Sequence, residues 1–337
     1  MNEIVTPVLA QLSRRADPSA SDLAAALGEI LEGRVSDIQA AGFAVALRTK
    51  GETAEELTVL VQTMLGHATL VEGVPDHAID TCGTGGDRSG SINVSTIATL
   101  VAVGAGATVV KHGNRAASSH CGSADVLEAL GVDIELDAPA VSRCVEQVGV
   151  GFCFAPKYHP ALRFLGPARR ELAIPTTFNF LGPLLNPARV RRQVVGVSDP
   201  AMAERMLQVL AAGGSERALV VHGHDGMDEL TITTTSAISD LVDGELRTSI
   251  VDPAEFGIAR ATADDLRGGD AAHNATVVRE VLAGKTGAAR DIAVLNAAAA
   301  LVVAGIADDL ADGVERARAA IDSGAAAAVL DRWIGAT

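Results

Sequence analysis

Two stretches of this chain are suited to gripping an anion. The first is Gly83-Thr84-Gly85-Gly86-Asp87. Its glycines lack the Cβ that would keep backbone N–H groups out of a concavity or an anion from close approach. Ser91, Asn93, Ser95 and Thr96 follow at a helix start, where hydroxyls, amides, free N–H groups and the helix dipole suit phosphate oxygens. Taken alone this is a glycine turn and an Asn cap, and it matches neither a Walker loop nor a G-x-G-x-x-G turn. The second stretch is Lys111-His112-Gly113-Asn114-Arg115-Ala116-Ala117-Ser118-Ser119. It offers two cations, imidazole and amide donors and two hydroxyls, and Gly122-Ser123 opens a further helix behind it. Lysine is scarce, confined to Lys50, Lys111, Lys157 and Lys285, so one at a strand's carboxyl end beside a second polar loop points to a phosphate. Two such loops from neighbouring strands are expected to converge on one polyanionic ligand.

A third stretch, His222-Gly223-His224-Asp225-Gly226-Met227-Asp228-Glu229, also follows a strand. Adjacent acids could be no more than a solvated loop. Beside a phosphate site, however, Asp228 and Glu229 suit Mg²⁺, which commonly takes one or two carboxylates plus substrate oxygens, with Ser95 as a further ligand. His222 and His224 have no Cys partner, and zinc is disfavoured.

The elements that must position these residues change character once along the chain. Residues 1–72 show only helical periodicity, with helices over Asp22–Leu31, Ser36–Lys50 and Thr53–Leu65, the last opened by a Thr53/Glu56 capping box. From Pro75 onward strands and helices alternate: Ala78–Cys82, Asn93–Val103, Thr108–Lys111, Ser123–Leu130, Val194–Val197, Ala201–Ala212 and Ala218–Val221. Thr231–Thr235 reads as another β-branched strand, Leu241–Asp252 as edge strands, and Ala-rich helices begin near Ala271, Ala289 and Asp309. The implied fold is α/β: a small helical domain (1–72) and a large domain (73–337) with a mostly parallel central sheet, residues 166–190 packing back on the helices. Ligands of such sheets bind beyond the strands' carboxyl ends.

The formal charge of −15 disfavours nucleic acid and anionic membranes, so any phosphate site is a local reversal of the field. Cys82, Cys121, Cys144 and Cys153 form no C-x-x-C pair, and a reduced, cytoplasmic setting is expected. The N-terminus shows no secretory n- or h-region, and no apolar run is long enough to span a membrane.

With these residues in view the chain resembles the anthranilate phosphoribosyltransferase family over nearly its whole length. The resemblance rests on Asp80–Asp87, Asn93–Thr96, Lys111–Ser119, Phe154-Ala155-Pro156, His159-Pro160, Arg169-Arg170-Glu171-Leu172, Phe178-Asn179, Leu181–Leu184 and Asp228-Glu229-Leu230. Asn296–Ala299 and Ile321–Gly324 extend it to the C-terminus. It implies a nucleoside phosphorylase-like phosphoribosyltransferase fold, a homodimer, and a Mg²⁺-dependent transfer from phosphoribosyl pyrophosphate to anthranilate in tryptophan biosynthesis. Carried over by motif, Gly83, Gly86, Asp87, Ser91, Asn93, Val94, Ser95, Thr96, Lys111, His112, Gly113, Asn114, Arg115, Ala116, Ala117, Ser118, Ser119 and Ser123 would hold the donor. Ser95, Asp228 and Glu229 would serve Mg²⁺. Gly83, Asn114 and Arg169 would contact anthranilate, with His112, Tyr158 and His159 lining its approach, and Lys111 and Arg169 would carry the chemistry.

Two departures from the family pattern are His120-Cys121 before Gly122-Ser123, and Pro175 where many members have Arg. A pyrimidine nucleoside phosphorylase would share the architecture, but the two anion loops fit the transferase pattern better. A nucleic-acid-binding relative without activity would need a basic surface.

Overall fold

Four helices open the chain: Val5–Leu12, Ala20–Leu31, Asp37–Lys50 and Ala54–Gly66. Hydroxyl caps start three of them. Ser19 accepts from Asp22 N, Ser36 from Gln39 N, and Thr53 with Glu56 closes the expected capping box. Gly51, at φ 89°, ends the third where an L side chain would be strained. The structure, a computed structural model, describes residues 2–116, 120–242 and 244–337.

Beyond the helices seven strands form one sheet: β1 (Ile79–Gly83), β2 (Val109–Gly113), β3 (Val150–Phe154), β4 (Arg192–Gly196), β5 (Arg217–Gly223), β6 (Ser236–Val242) and β7 (Glu245–Val251). Their spatial order is β3-β2-β1-β4-β5-β6-β7, parallel from β3 to β5 and antiparallel through β6 and β7. The order reverses at β1. Successive strands run outward to β3, then β4 pairs on the other flank of β1, and this leaves a crevice beyond the carboxyl ends of β1 and β4.

Two features depart from the sequence reading. The segment before His159 holds a helix, Ala138–Val148, capped by Asp137 and closed by left-handed Gly149, which leads into β3. Thr231–Thr235 is not a strand; its hydroxyls are used locally, with Thr231 and Thr233 both donating to Asp225 Oδ2. Side chains that bond so close in sequence compete with the ladder, and β6 begins only at Ser236.

The alanine content has a packing role. Helix Ala288–Ala304 is buried almost all round, with Ala297–Ala300 fully inaccessible. Small residues let its neighbours close in. A Cβ on Gly313 would lie 2.9 Å from Ala298, and one on Gly104 would lie 2.7 Å from the Ala326 backbone.

A second apolar cluster joins the first four helices to Leu165, Ala168, Phe178, Phe180, Leu181, Leu184 and Leu185, and on to Val195, Val197 and Met206. Residues 165–186 thus form a strap between the helical bundle and the sheet. At its centre lies the buried carboxylate of Glu52. It accepts from Thr177 Oγ1 on the strap and pairs with Arg48 at 3.3 Å and, more loosely, with Arg205 at 3.9 Å. Arg48 also reaches Asp199 at 3.1 Å and lies over the Phe180 ring. Removing one member of such a buried set leaves the rest unpaired. Glu52→Ala is expected to cost about 3 kcal/mol, read as a lowered urea midpoint. A midpoint equal to that of the parent would show the junction to be energetically idle.

Candidate functional site at the sheet switch point

The crevice is lined by the stretches picked out by their chemistry. β1 ends at Gly83, and the chain turns through Gly85 and Gly86, at φ 66° and 77°. Gly83 is there because of Asp228: a Cβ would lie 2.3 Å from Asp228 Oδ2. On the neighbouring strand a Cβ on Gly196 would lie 1.7 Å from the Asp228 carbonyl oxygen. Asp228 is thereby seated between the tips of β1 and β4, and Gly85 N donates to its Oδ2 at 2.7 Å. Glu229, the next residue, accepts from Ser95 N at 3.2 Å at the start of helix Val94–Gly104.

Burial, together with the nearby charge of Asp87, pushes the Asp228 carboxyl up. Burial and then Asp228 push Glu229 well up. Two adjacent half-buried carboxylates whose charges oppose each other in this way call for a cation. Among the described residues no cluster of three or more His, Cys, Asp or Glu side chains is placed to hold a metal by itself. Two carboxylates and a hydroxyl are nevertheless a donor set that fits a Mg²⁺ completed by substrate oxygens. Ser95 Oγ already accepts from Lys111 Nζ at 3.1 Å, which leaves it one lone pair.

Lys111 is 2 % exposed, its Nζ bonded to Thr81 O and Ser95 Oγ. Its charge draws down both Asp80 and Glu229, although burial still holds Asp80 at about 6. It is thus a buried counter-charge beneath the site rather than a free arm reaching into the crevice. Val94 is likewise a core side chain, and its N–H is bonded to Ile92 O. Thr96 N is bonded to Asn93 O, while its buried Oγ1 has no partner.

The two anion loops do converge. Asn93 Nδ2 donates to Cys121 O at 3.1 Å, and Asn274 Nδ2 donates to Asn93 Oδ1 at 2.8 Å, so Asn93 ties the loops together instead of capping its own helix. Ser91 bridges to Arg267, while Gly86 is exposed and Asp87 half-buried in the first loop. In the second loop Asn114 O receives Ala124 N and Ser123 Oγ. A Cβ on Gly113 would lie 2.3 Å from that Ser123 hydroxyl. Two expectations shift here. Arg115 is paired to Asp125 at 3.0 Å and Glu128 at 2.7 Å, so its charge is internally balanced. Asp125 also accepts from Ala116 N and Gly122 N, and Asn114 O takes Ala124 N, so part of the helix start that Gly122-Ser123 seemed to offer a ligand is already engaged. Ala117, Ser118 and Ser119 lie outside the described residues.

His112 and His159 pack together, ring centroids 5.2 Å apart. His112 N donates to Asp80 Oδ1, and His112 Nδ1 faces Gly182 O at 3.1 Å. A carbonyl only accepts, so that bond assigns the proton to Nδ1 and makes Nε2 a lone-pair acceptor. Nε2 is buried without a partner. Burial and then His159 push the His112 imidazole down to about 3, and it is neutral. His159 is pushed down by burial, with Nε2 on Leu185 O at 2.8 Å.

Arg169, on the strap helix Gly166–Leu172, is half-buried and has no acidic partner among the described residues. Burial pulls its pKa down, which marks a cation in want of an anion. Tyr158, expected near the acceptor, is instead a core residue. Its ring packs with Val110, Val141, Val145 and Cys153, and its hydroxyl donates to Leu136 O at 2.9 Å. His222 and His224 are engaged with Val197 O and Thr235 Oγ1, as structural histidines. Pro175 is exposed in the turn after Ala173. Sequence reasoning missed Asp80 and Asn186 as site supports. Asn186 Nδ2 donates to Asp80 Oδ2 and Val110 O, pinning the strap to the sheet, and only the Asp80 motif hinted at this.

Comparison with known proteins bears on the family and the fold. The model described as glycosyl transferase family, a/b domain, matches residues 75–327, and the helical bundle domain of that family matches residues 6–68. An anthranilate phosphoribosyltransferase of a Nocardioides species is 56 % identical over 98 % of both chains. One from Rhodococcus jostii is 51 % identical, covering 97 % of this chain and 91 % of its own. The crystal structure of that name from Thermus thermophilus superposes with a TM-score of 0.91 at 38 % identity, covering 97 % of this chain and 98 % of the other. The Saccharomyces cerevisiae enzyme in complex with PRPP and Mg gives 0.91 at 26 % identity over 99 % of both. No helix among the described residues is long and apolar enough to cross a membrane. The chain belongs to the anthranilate phosphoribosyltransferase family.

Proposed function

We propose that the protein transfers the phosphoribosyl group of phosphoribosyl pyrophosphate to the amine of anthranilate, giving N-(5-phosphoribosyl)anthranilate and pyrophosphate in tryptophan biosynthesis. The observation that carries this is the half-buried acid pair Asp228-Glu229, with Asp228 seated between Gly83 and Gly196 and Glu229 against Ser95 where two anion loops meet. Asp228, Glu229 and Ser95 would hold Mg²⁺, which when bound supplies Lewis-acid stabilisation to the departing pyrophosphate oxygens. Gly83, Gly86, Asp87, Ser91, Asn93, Ser95 and the second loop from Lys111 to Ala116 frame the donor. Lys111 helps keep the neighbouring carboxylates ionised.

In the transfer the amine nitrogen forms a bond to the anomeric carbon as the carbon–oxygen bond to pyrophosphate breaks, the electron pair leaving with pyrophosphate and the amine's surplus proton then passing to water. The aromatic amine is already neutral, so no strong base is required. An imidazole at about 3 is a poor base in any case. His112 Nε2 instead orients an amine N–H by accepting from it, and Arg169 with Asn114 anchors the carboxylate end, so positioning supplies much of the rate. Among the described residues no Ser or Cys nucleophile has a paired base, and the displacement is direct. The assembly is a homodimer in this reading; light scattering that gave the mass of one chain would overturn that part.

The test is loss of anthranilate fluorescence on mixing with phosphoribosyl pyrophosphate and Mg²⁺. Turnover is expected, and EDTA is expected to stop it. Phosphorolysis of thymidine or uridine with no anthranilate turnover would place the chain among nucleoside phosphorylases instead.

A further inference from the structure

Asn296 interrupts the alanines of helix Ala288–Ala304 and is only 3 % exposed. A primary amide so deep in an apolar helix is costly unless bonded. Its partners lie mostly on another element. Asn296 Oδ1 accepts from Leu230 N at 2.9 Å, and Nδ2 donates to Leu230 O at 2.8 Å and to Ile292 O on its own helix at 2.9 Å. The side chain therefore pairs with both backbone groups of one residue, as a neighbouring strand would. Leu230 directly follows Asp228-Glu229 and is itself fully buried. Asn296 and Glu229 also line one small cavity with Ser95 and Gly196. The acid pair is thus held from one side by the two glycines that admit Asp228, and from the other by one amide.

We propose that Asn296 is a positioning residue that sets the placement of the Asp228 and Glu229 carboxylates and thereby the affinity for the divalent cation. This rests on reading those carboxylates as the cation's ligands. Groups that orient metal ligands without touching the metal commonly govern affinity as strongly as some ligands do. Asn296 has the required geometry, because its bonds hold the peptide units on both sides of Leu230, the first of which joins it to Glu229. An amide that merely filled the core would lower stability when removed and leave cation binding alone.

The experiment is Mn²⁺ binding in the presence of pyrophosphate, followed by the electron paramagnetic resonance signal of free Mn²⁺. It compares the parent, Asn296→Ala, and Leu301→Ala as a core-cavity control on the same helix. Asn296→Ala is expected to weaken Mn²⁺ binding by about tenfold to a hundredfold with the KM for anthranilate unchanged, while Leu301→Ala leaves Mn²⁺ binding as in the parent. Equal Mn²⁺ affinity in the parent and Asn296→Ala, or equal weakening by both substitutions, would overturn the inference. Absence of Mn²⁺ binding by the parent would instead remove the metal reading on which it rests. Should Asn296→Ala fail to fold, hydrogen exchange on the parent decides. A Leu230 amide strongly protected before any cation is added supports the pairing, and one exchanging as fast as Gly86 refutes it.

Discussion

Lys111→Met is expected to lower kcat by about a thousandfold while leaving the KM for anthranilate nearly unchanged. The side chain is buried, so methionine of similar length fills most of its space and the change is chiefly one of charge. Its Nζ bonds to Thr81 O and Ser95 Oγ, and its charge draws down Asp80 and Glu229. Without that charge, burial and repulsion by Asp228 are countered at Glu229 mainly by the Ser95 N–H, and Glu229 must be ionised to meet a cation. The loss therefore falls on the departure of pyrophosphate and not on acceptor binding. Lys111→Arg is not expected to rescue it, since a planar guanidinium does not fit a fully enclosed ammonium site. Steady-state kinetics with each substrate varied in turn checks this. Activity within tenfold of the parent would take Lys111 out of the chemistry.

The opposite pattern is expected at Arg169. Arg169→Ala should raise the KM for anthranilate by about a hundredfold, the equivalent of roughly 3 kcal/mol for a charged hydrogen-bonded pair, and leave the KM for the sugar donor nearly where it was. The guanidinium is half-buried, has no acidic partner of its own among the described residues, and is held below its usual pKa by burial. A carboxylate can satisfy it with two parallel bonds, which a lysine in its place would only partly reproduce. The exposed Arg170 next to it is the internal control, and its removal should do little. An equal rise in both KM values would sink the assignment of Arg169 to the acceptor.

Much of this architecture was legible in the chain because its signals are local. Thr53 with Glu56, Gly51, and the glycines after β1 act within a few residues of themselves, and each stands where its chemistry indicated. What escaped is long-range pairing. Arg115 looked like a phosphate ligand until the fold brought Asp125 and Glu128 against it. Tyr158, the only tyrosine, looked functional and is held in the core by a carbonyl twenty-two residues away. Asn296 carried no periodic or motif mechanism, because its partner lies on a loop sixty-six residues earlier. Thr231–Thr235 misled for the converse reason, since β-branched residues with hydroxyls can serve a turn as readily as a strand.

The strap has a thermodynamic consequence. It is fastened to the bundle through Thr177 and Glu52, and to the sheet through Gly182 with His112 and Asn186 with Asp80. Arg169 sits on the same strap, next to Ala168, which packs into the bundle's apolar cluster. A shift of the bundle against the sheet would strain the strap that carries the guanidinium, and by reciprocity an anion settled on the guanidinium would bias where the bundle rests. On the proposed reading of Arg169 as the acceptor's anchor, occupancy of that site and the posture of the helical bundle would report one equilibrium, with Glu52 as the point where they are joined.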